Sequence, residues 1–154
     1  MSIRDEPREW TRGSQVVSTA RSRIDLDLVH DYLRGSYWAA GMPRDVLERA
    51  IENSLTFGVY DGQRQVGFAR VITDCATYAY LSDVFIVETH RGRGLSKWLM
   101  ECILAHPDLQ GLRRFALFTR DASGLYERYG FGPARSRSVY LERYTPDVYP
   151  APVP

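Results

Sequence analysis

The sequence predicts an α/β fold of the mixed α+β kind: a mostly antiparallel central sheet of six to seven strands flanked by about four helices. Three observations carry this. Between Leu81 and Met100 an apolar run with a period of two passes through an Arg-Gly-Arg-Gly turn into a run with a period of 3.6, so a strand empties directly into a helix. Asp61-Gly62 separates two strand-like runs, Leu55–Tyr60 and Gln65–Thr73, as a hairpin turn does, and the next strand follows closely enough to extend an antiparallel meander. Two amphipathic helical runs lie between the first strand and that meander.

In chain order, residues 1–13 are polar and charged and read as an arm tethered by Trp10. Gln15–Ala20 has the β-branched content of a first strand. Asp25 or Asp27 can cap a helix that carries Leu28, Val29, Tyr32 and Leu33 on one face. Gly35 and Gly41 bracket an aromatic break, SYWAAGMP, and Pro43 opens a second helix with Val46, Leu47, Ala50 and Ile51 at core spacing. After the hairpin, Tyr80, Ser82, Val84 and Ile86 fall on one face of an extended segment, and Leu81, Asp83, Phe85 and Val87 on the other. Both faces are largely apolar, so this strand is central. Leu95, Trp98, Leu99, Cys102 and Ile103 form one side of the following helix, which Pro107 stops. Phe115–Thr119 reads as another buried strand, and Asp121 can N-cap a short helix that Gly130 ends. Val139–Tyr144 supplies a last strand, and the Pro-rich stretch from Pro146 reads as a surface tail.

A chain of 154 residues with 44% hydrophobic content suits one domain that buries its own core without staples. The formal charge of +1 gives no field that argues for nucleic acid or an anionic membrane. Cys75 and Cys102 show no metal-ligand spacing, so no metal is expected and a reduced pair is the reading. With no apolar leader and no run long enough to span a bilayer, the expectation is a soluble, cytoplasmic protein.

The strand-to-helix junction, Arg91, Gly92, Arg93, Gly94, Leu95 and Ser96, is a candidate phosphate site. Its glycines allow tight curvature and close approach of a ligand, and the first helical turn presents N–H groups with no partner. Those donors, the positive end of the helix dipole and the arginines together suit a diphosphate. A dinucleotide fingerprint would need a third glycine where Lys97 stands, and the Gly-Lys-Ser/Thr of a P-loop is absent. What remains is Arg-x-x-Gly-x-small, read as Arg91, Gly94 and Ser96. Here the sequence resembles the GNAT superfamily of N-acetyltransferases, whose acetyl-CoA pyrophosphate loop has the form Gln/Arg-x-x-Gly-x-Gly/Ala; Ser96 departs from it at the last position. The downstream DASGLYERYGF, after a strand, resembles the same family, and the two signatures cover roughly the second half of the chain.

The resemblance implies that the central strand and the Phe115 strand splay apart. The pantetheine arm would then lie in the gap, with main-chain groups of Phe85, Ile86 and Val87 holding its amides and residues 91–96 its pyrophosphate. It also implies Tyr126 as the acid that protonates the CoA thiolate. A phenol of pKa about 10 can donate to a thiolate of about 8.5. A backbone N–H near Val87 is the implied oxyanion donor. For the base that takes the amine proton, Asp83 and Glu88 compete: burial within the strand would raise the Asp83 pKa, and Glu88 lies at the strand end. Asp83 can equally pair with an arginine such as Arg70, and Glu88 can be a solvated turn residue. His90 suits phosphate contact better than catalysis, and His30 has no visible partner.

Tyr32, Tyr37, Trp38 and Phe57 can wall an acceptor site or lie in the core. The acceptor, a small-molecule or peptide amine, stays open, and the resemblance extends to a homodimer. Two other readings stand beside the transferase: a non-catalytic acyl-CoA sensor or interaction module, and a nucleotide-phosphate binder using the same turn.

Overall fold

The computed structural model describes residues 6–135 and 137–150. Among these, six strands form one sheet in the order of the chain: β1 (Glu9–Arg12), β2 (Gln15–Ser18), β3 (Leu55–Asp61), β4 (Arg64–Thr73), β5 (Tyr78–Ile86) and β6 (Arg114–Leu117). Every neighbouring pair is antiparallel except β5 and β6. The helices are α1 (Leu26–Arg34), α2 (Arg44–Glu52), α3 (Leu95–Ala105) and α4 (Ser123–Glu127). The parallel pair follows from α3, which carries the chain back across one face before β6 begins.

Each sheet face has its own core. On one side Leu99, Met100 and Ile103 of α3 pack on Phe57, Val59, Val71 and Leu81. On the other, Val29 and Leu33 of α1 and Leu47 and Ile51 of α2 pack on Phe68 and Phe85. Side chains buried to this degree contribute about 1.5–3 kcal/mol each through the area they remove from water. Local signals set the helix starts. The Asp25 carboxylate accepts the Leu28 N–H at 3.1 Å and caps α1, whereas Asp27 pairs with Arg44 of α2. Pro43 is the N-cap of α2.

Four expectations are corrected. Glu9–Arg12, inside the expected arm, is the edge strand β1, because Trp10 stacks on Phe57 with ring centroids 6.3 Å apart while Glu9–Arg12 pairs along β2. Val139–Tyr144 forms no strand: Val139 and Leu141 are 80% and 86% exposed, and Tyr140 rests on the Phe118 ring. Its β-branched and aromatic content becomes a strand only against a partner edge, and the segment reaches none. Asp121 does not cap α4. Ala122 holds the cap position, and its N–H donates to the Thr119 hydroxyl at 3.0 Å.

The fourth correction concerns β5, whose strict alternation breaks. Phe68 faces Phe85 and Arg70 faces Ser82, so Ala69 alone opposes both Asp83 and Val84. This is a β-bulge, and Asp83 takes the left-handed φ of 56° that the extra residue requires. Past the bulge the faces exchange: Leu81 and Ile86 both join the α3-side core, and Phe85 turns toward α1 and α2.

Candidate active site

The two strands that border the site part where the sequence stops pairing them. β5 and β6 are bonded from Tyr78↔Arg114 to Leu81↔Leu117, yet β5 continues to Ile86, so residues 82–86 have no strand beside them on that side. The resulting wedge opens into a hollow of about 540 Å³ lined by Tyr37, Trp38, Asp83, Phe118, Arg120 and Tyr126, among others. A second hollow of about 290 Å³ is lined by His90, Arg91, Gly92, Gly94, Leu95 and Lys97. The two share Ile86, Arg91, Ser96 and Leu125, and so form one continuous cleft.

At the smaller end, Gly92 and Gly94 both adopt positive φ, 76° and 75°, and Gly94 is the N-cap of α3 with no side chain to close it. The first-turn N–H groups of Leu95, Ser96 and Lys97 therefore face the hollow without an intrahelical acceptor, as a helix start dictates. A short helical turn, Glu88–His90, leads into this bend. His90 Nε2 lies 3.2 Å from Asp61 Oδ2, and the Ser14 hydroxyl donates to the other Asp61 oxygen at 2.8 Å, which pins the bend to the β3–β4 hairpin. The Ser14 and His90 bonds hold the Asp61 carboxyl below its ordinary pKa.

Arg91 lines both hollows and is also tied to the fold. Its Nε donates to the Ile86 carbonyl at 3.0 Å and its NH2 to the Tyr32 hydroxyl at 2.8 Å, so the guanidinium ties α1 to the end of β5. Tyr32 in turn stacks on Phe85 with centroids 3.9 Å apart and planes 9° apart. The Val87 N–H is also engaged, donating to the Val66 carbonyl at 2.9 Å. Because main-chain groups alternate along a strand, the N–H and C=O of Ile86 point the other way, into the wedge. With its carbonyl held by Arg91, the Ile86 N–H is the main-chain donor nearest the expected position.

At the larger end, Tyr126 on α4 is 9% exposed, and burial, with Tyr37 and Asp121 nearby, pushes its phenol pKa up. Asp83 is buried in the bulge. It accepts from Arg70 Nε at 2.8 Å and from the Trp38 indole N–H at 3.1 Å, while Arg70 also donates to Ser54 at 3.1 Å. Glu88 is exposed and lines neither hollow. Tyr32, Tyr37 and Trp38 line the cleft, whereas Phe57 is fully buried in the α3-side core. His30 Nε2 donates to the Met42 carbonyl at 2.8 Å, a tie across the α1–α2 break. Tyr129 donates to the Lys97 carbonyl at 3.1 Å and braces the end of α4 against the start of α3.

Sequence reasoning missed Arg120. Its guanidinium lies 3.9 Å from the centroid of the Tyr37 ring, just past the carboxyl end of β6. A charged residue directly after a parallel strand beside a splay was the available signal. Among the described residues no group of three or more His, Cys, Asp or Glu side chains could hold a metal, and no helix is long and apolar enough to cross a membrane.

Comparison with known proteins agrees with this geometry. The family model of the acetyltransferase (GNAT) domain matches residues 52–133. A curated Gibberella zeae protein that carries an inferred acetyltransferase name is 33% identical over 144 residues, covering 79% of this chain and 80% of its own. A Xanthomonas campestris pv. campestris crystal structure, assigned by inference to the same family, is 51% identical with a TM-score of 0.86 over 90% of this chain and 99% of that one. The fold alone is shared with a Clostridium acetobutylicum protein solved with acetyl-CoA, at 11% identity and a TM-score of 0.59 over 89% and 95% of the two chains. The matched half of the sequence contains β5, the Gly94 bend, α3, β6 and α4, which build most of the cleft, and the chain belongs to the GNAT acetyltransferase family.

Proposed function

We propose that this protein transfers the acetyl group of acetyl-CoA to a primary amine, acting in the cytoplasm. The observation that carries the reading is the continuity of the cleft: the bend whose N–H groups suit a diphosphate opens into the wedge that holds a buried phenol. The residues fit acetyl-CoA, which supplies an activated thioester carbonyl when bound. Leu95, Ser96 and Lys97 N–H groups hold the pyrophosphate at the positive end of α3, and the exposed ladder edge of residues 82–86 takes the pantetheine amides. The Ile86 N–H donates to the carbonyl oxygen as the amine nitrogen attacks and charge develops there. The carbon–nitrogen bond forms, the carbon–sulfur bond breaks, and Tyr126 gives its proton to the departing thiolate. The amine proton leaves through water to solvent or to Asp121, which also lines the hollow.

Replacing Tyr126 by Phe should lower kcat by about 10²–10⁴-fold with acetyl-CoA binding retained. Thiol release measures the first, and thermal unfolding with acetyl-CoA the second, since ligand at a hundred times its Kd adds about 2.7 kcal/mol. Unchanged kcat in Tyr126→Phe removes the phenol from the mechanism.

A second reading, a non-catalytic acyl-CoA sensor, is favoured by one observation. Asp83 is paired with Arg70, and Glu88 lies outside the hollow, so neither proposed base stands free at the wedge. Stabilisation by acetyl-CoA without thiol release on any amine would establish it.

A further inference from the structure

The acceptor end of the cleft is a scaffold that leads from the bulge to a cation. Asp83 fixes the Trp38 indole, and Trp38 meets the Tyr37 ring edge-on, with centroids 5.1 Å apart and planes at 81°. The face of Tyr37 carries the guanidinium of Arg120. A guanidinium laid on a ring keeps its planar edge of N–H donors turned outward. No carboxylate among the described residues takes that edge in an ion pair. Arg70, the other cation near this wall, is already paired with Asp83.

The same mouth exposes an unusual amount of ring. Tyr37, Trp38 and Phe118 are 53%, 42% and 67% exposed, and all three line the hollow together with Arg120. Large rings left in water around one concave site mark a surface that takes an apolar ligand. Arg70 neutralises the Asp83 carboxylate, so the charges left at the mouth are the Arg120 guanidinium and the Asp121 carboxylate, which lines the same hollow.

Resting on the acetyl-transfer reading above, we propose that Arg120 is the carboxylate-binding group of the acceptor site, and that the acceptor is an amino acid with an aromatic side chain. The carboxylate pairs with the outward edge of the guanidinium and the side chain lies against Trp38 and Phe118. The amine is thereby directed toward Tyr126, which shares the Tyr37 wall.

The test is calorimetric titration of L-phenylalanine and 2-phenylethylamine into the whole protein, with and without CoA. The two probes differ by the carboxylate. L-Phenylalanine should bind about tenfold or more tightly than 2-phenylethylamine, as loss of a charge-assisted bidentate contact predicts. In Arg120→Gln that gap should collapse, with the unliganded thermal midpoint checking that the variant is folded. Equal affinity of the two probes for the unsubstituted protein, a gap that survives in Arg120→Gln, or no binding of either probe overturns the proposal. Acetyl-CoA is titrated separately. Its failure to bind refutes the transferase reading, and L-phenylalanine that binds without thiol release upholds the carboxylate site while removing the chemistry.

Discussion

Arg70 donates from its Nε to the Asp83 carboxylate at 2.8 Å, and the pair is nearly closed to water, with side chains 11% and 3% exposed. The bulge turns Asp83 toward Arg70 and Trp38, so the carboxylate serves to anchor the cleft wall. Asp83→Ala should cost about 3–5 kcal/mol, because it leaves Arg70 buried and uncompensated. Asp83→Asn keeps an acceptor for Trp38 and tolerates positive φ. It should therefore lose stability while kcat stays within about tenfold of the parent, far less than loss of a general base would cost. Chemical denaturation and steady-state thiol release separate the two; a kcat loss beyond a hundredfold in a folded Asp83→Asn would return Asp83 to the chemistry.

Gly94 opens α3 with φ of 75°, and a Cβ there would meet nothing within 4 Å. The constraint is thus backbone conformation and not space. Gly94→Ala should cost about 1–2 kcal/mol for an L residue held in the left-handed region, with Gly94→Asn costing less. Because the same bend aims the first-turn N–H groups, acetyl-CoA affinity should fall in Gly94→Ala and recover partly in Gly94→Asn. Calorimetry reads the affinities, and equal binding by all three proteins would detach the bend from the coenzyme.

His106 is 2% exposed, set between Trp10 and Phe57 with ring centroids 6.3 and 5.7 Å away. Its Nδ1 accepts the Asp108 N–H at 3.2 Å. Burial lowers its pKa, against a smaller raising effect from Asp108 and with a further lowering from Arg8. The unfolded chain, with His near 6.5, therefore binds a proton before the folded one, and stability falls as pH drops through about 6.5. Asp61 and Asp74 are shifted in the same direction but in a lower pH range: their pKa values are held low, so their contribution disappears only below about pH 4. His106→Gln should flatten the thermal midpoint between pH 7 and 5 and leave the lower limb in place. A parent midpoint that does not change over that range would contradict the buried neutral imidazole.

How far the sequence spoke depended on how local each signal was. The change of period around Arg91–Ser96 and the Asp61-Gly62 turn are written in neighbouring residues, and both are where the chain placed them. The bulge is a property of two strands at once, since only the pairing of Ala69 with Asp83 and Val84 shows that β5 holds an extra residue. That single residue exchanged the faces of Phe85 and Ile86. The ties of Arg91 were hidden for a related reason: an arginine beside a glycine turn suits phosphate, and only the folded wedge shows that its guanidinium is also held by the Ile86 carbonyl. Val139–Tyr144 and Glu9–Arg12 show the same dependence in reverse. The more strand-like segment pairs with no strand, and the polar one finds β2.

Gly67 pairs with Ile86 at the open end of the wedge, where β5 stops. A Cβ on Gly67 would stand 2.6 Å from Ile86 Cδ1, 3.0 Å from the Phe85 carbonyl oxygen and 3.1 Å from Val59 Cβ. The end of the Ile86 side chain can rotate away, but the Phe85 carbonyl can yield only if β4 and β5 part. Gly67→Ala should therefore cost about 1–3 kcal/mol as overpacking. The displaced backbone carries the Ile86 N–H, while the Gly94 bend lies outside the disturbed ladder. Accordingly kcat should fall about tenfold or more, with acetyl-CoA affinity changed by no more than a few-fold, because positioning errors near 1 Å at a reacting centre cost rate ahead of binding. Parallel measurement of thiol release and acetyl-CoA titration decides this. Should affinity fall as far as kcat, the Ile86 N–H holds the coenzyme in the ground state and gives the transition state nothing further.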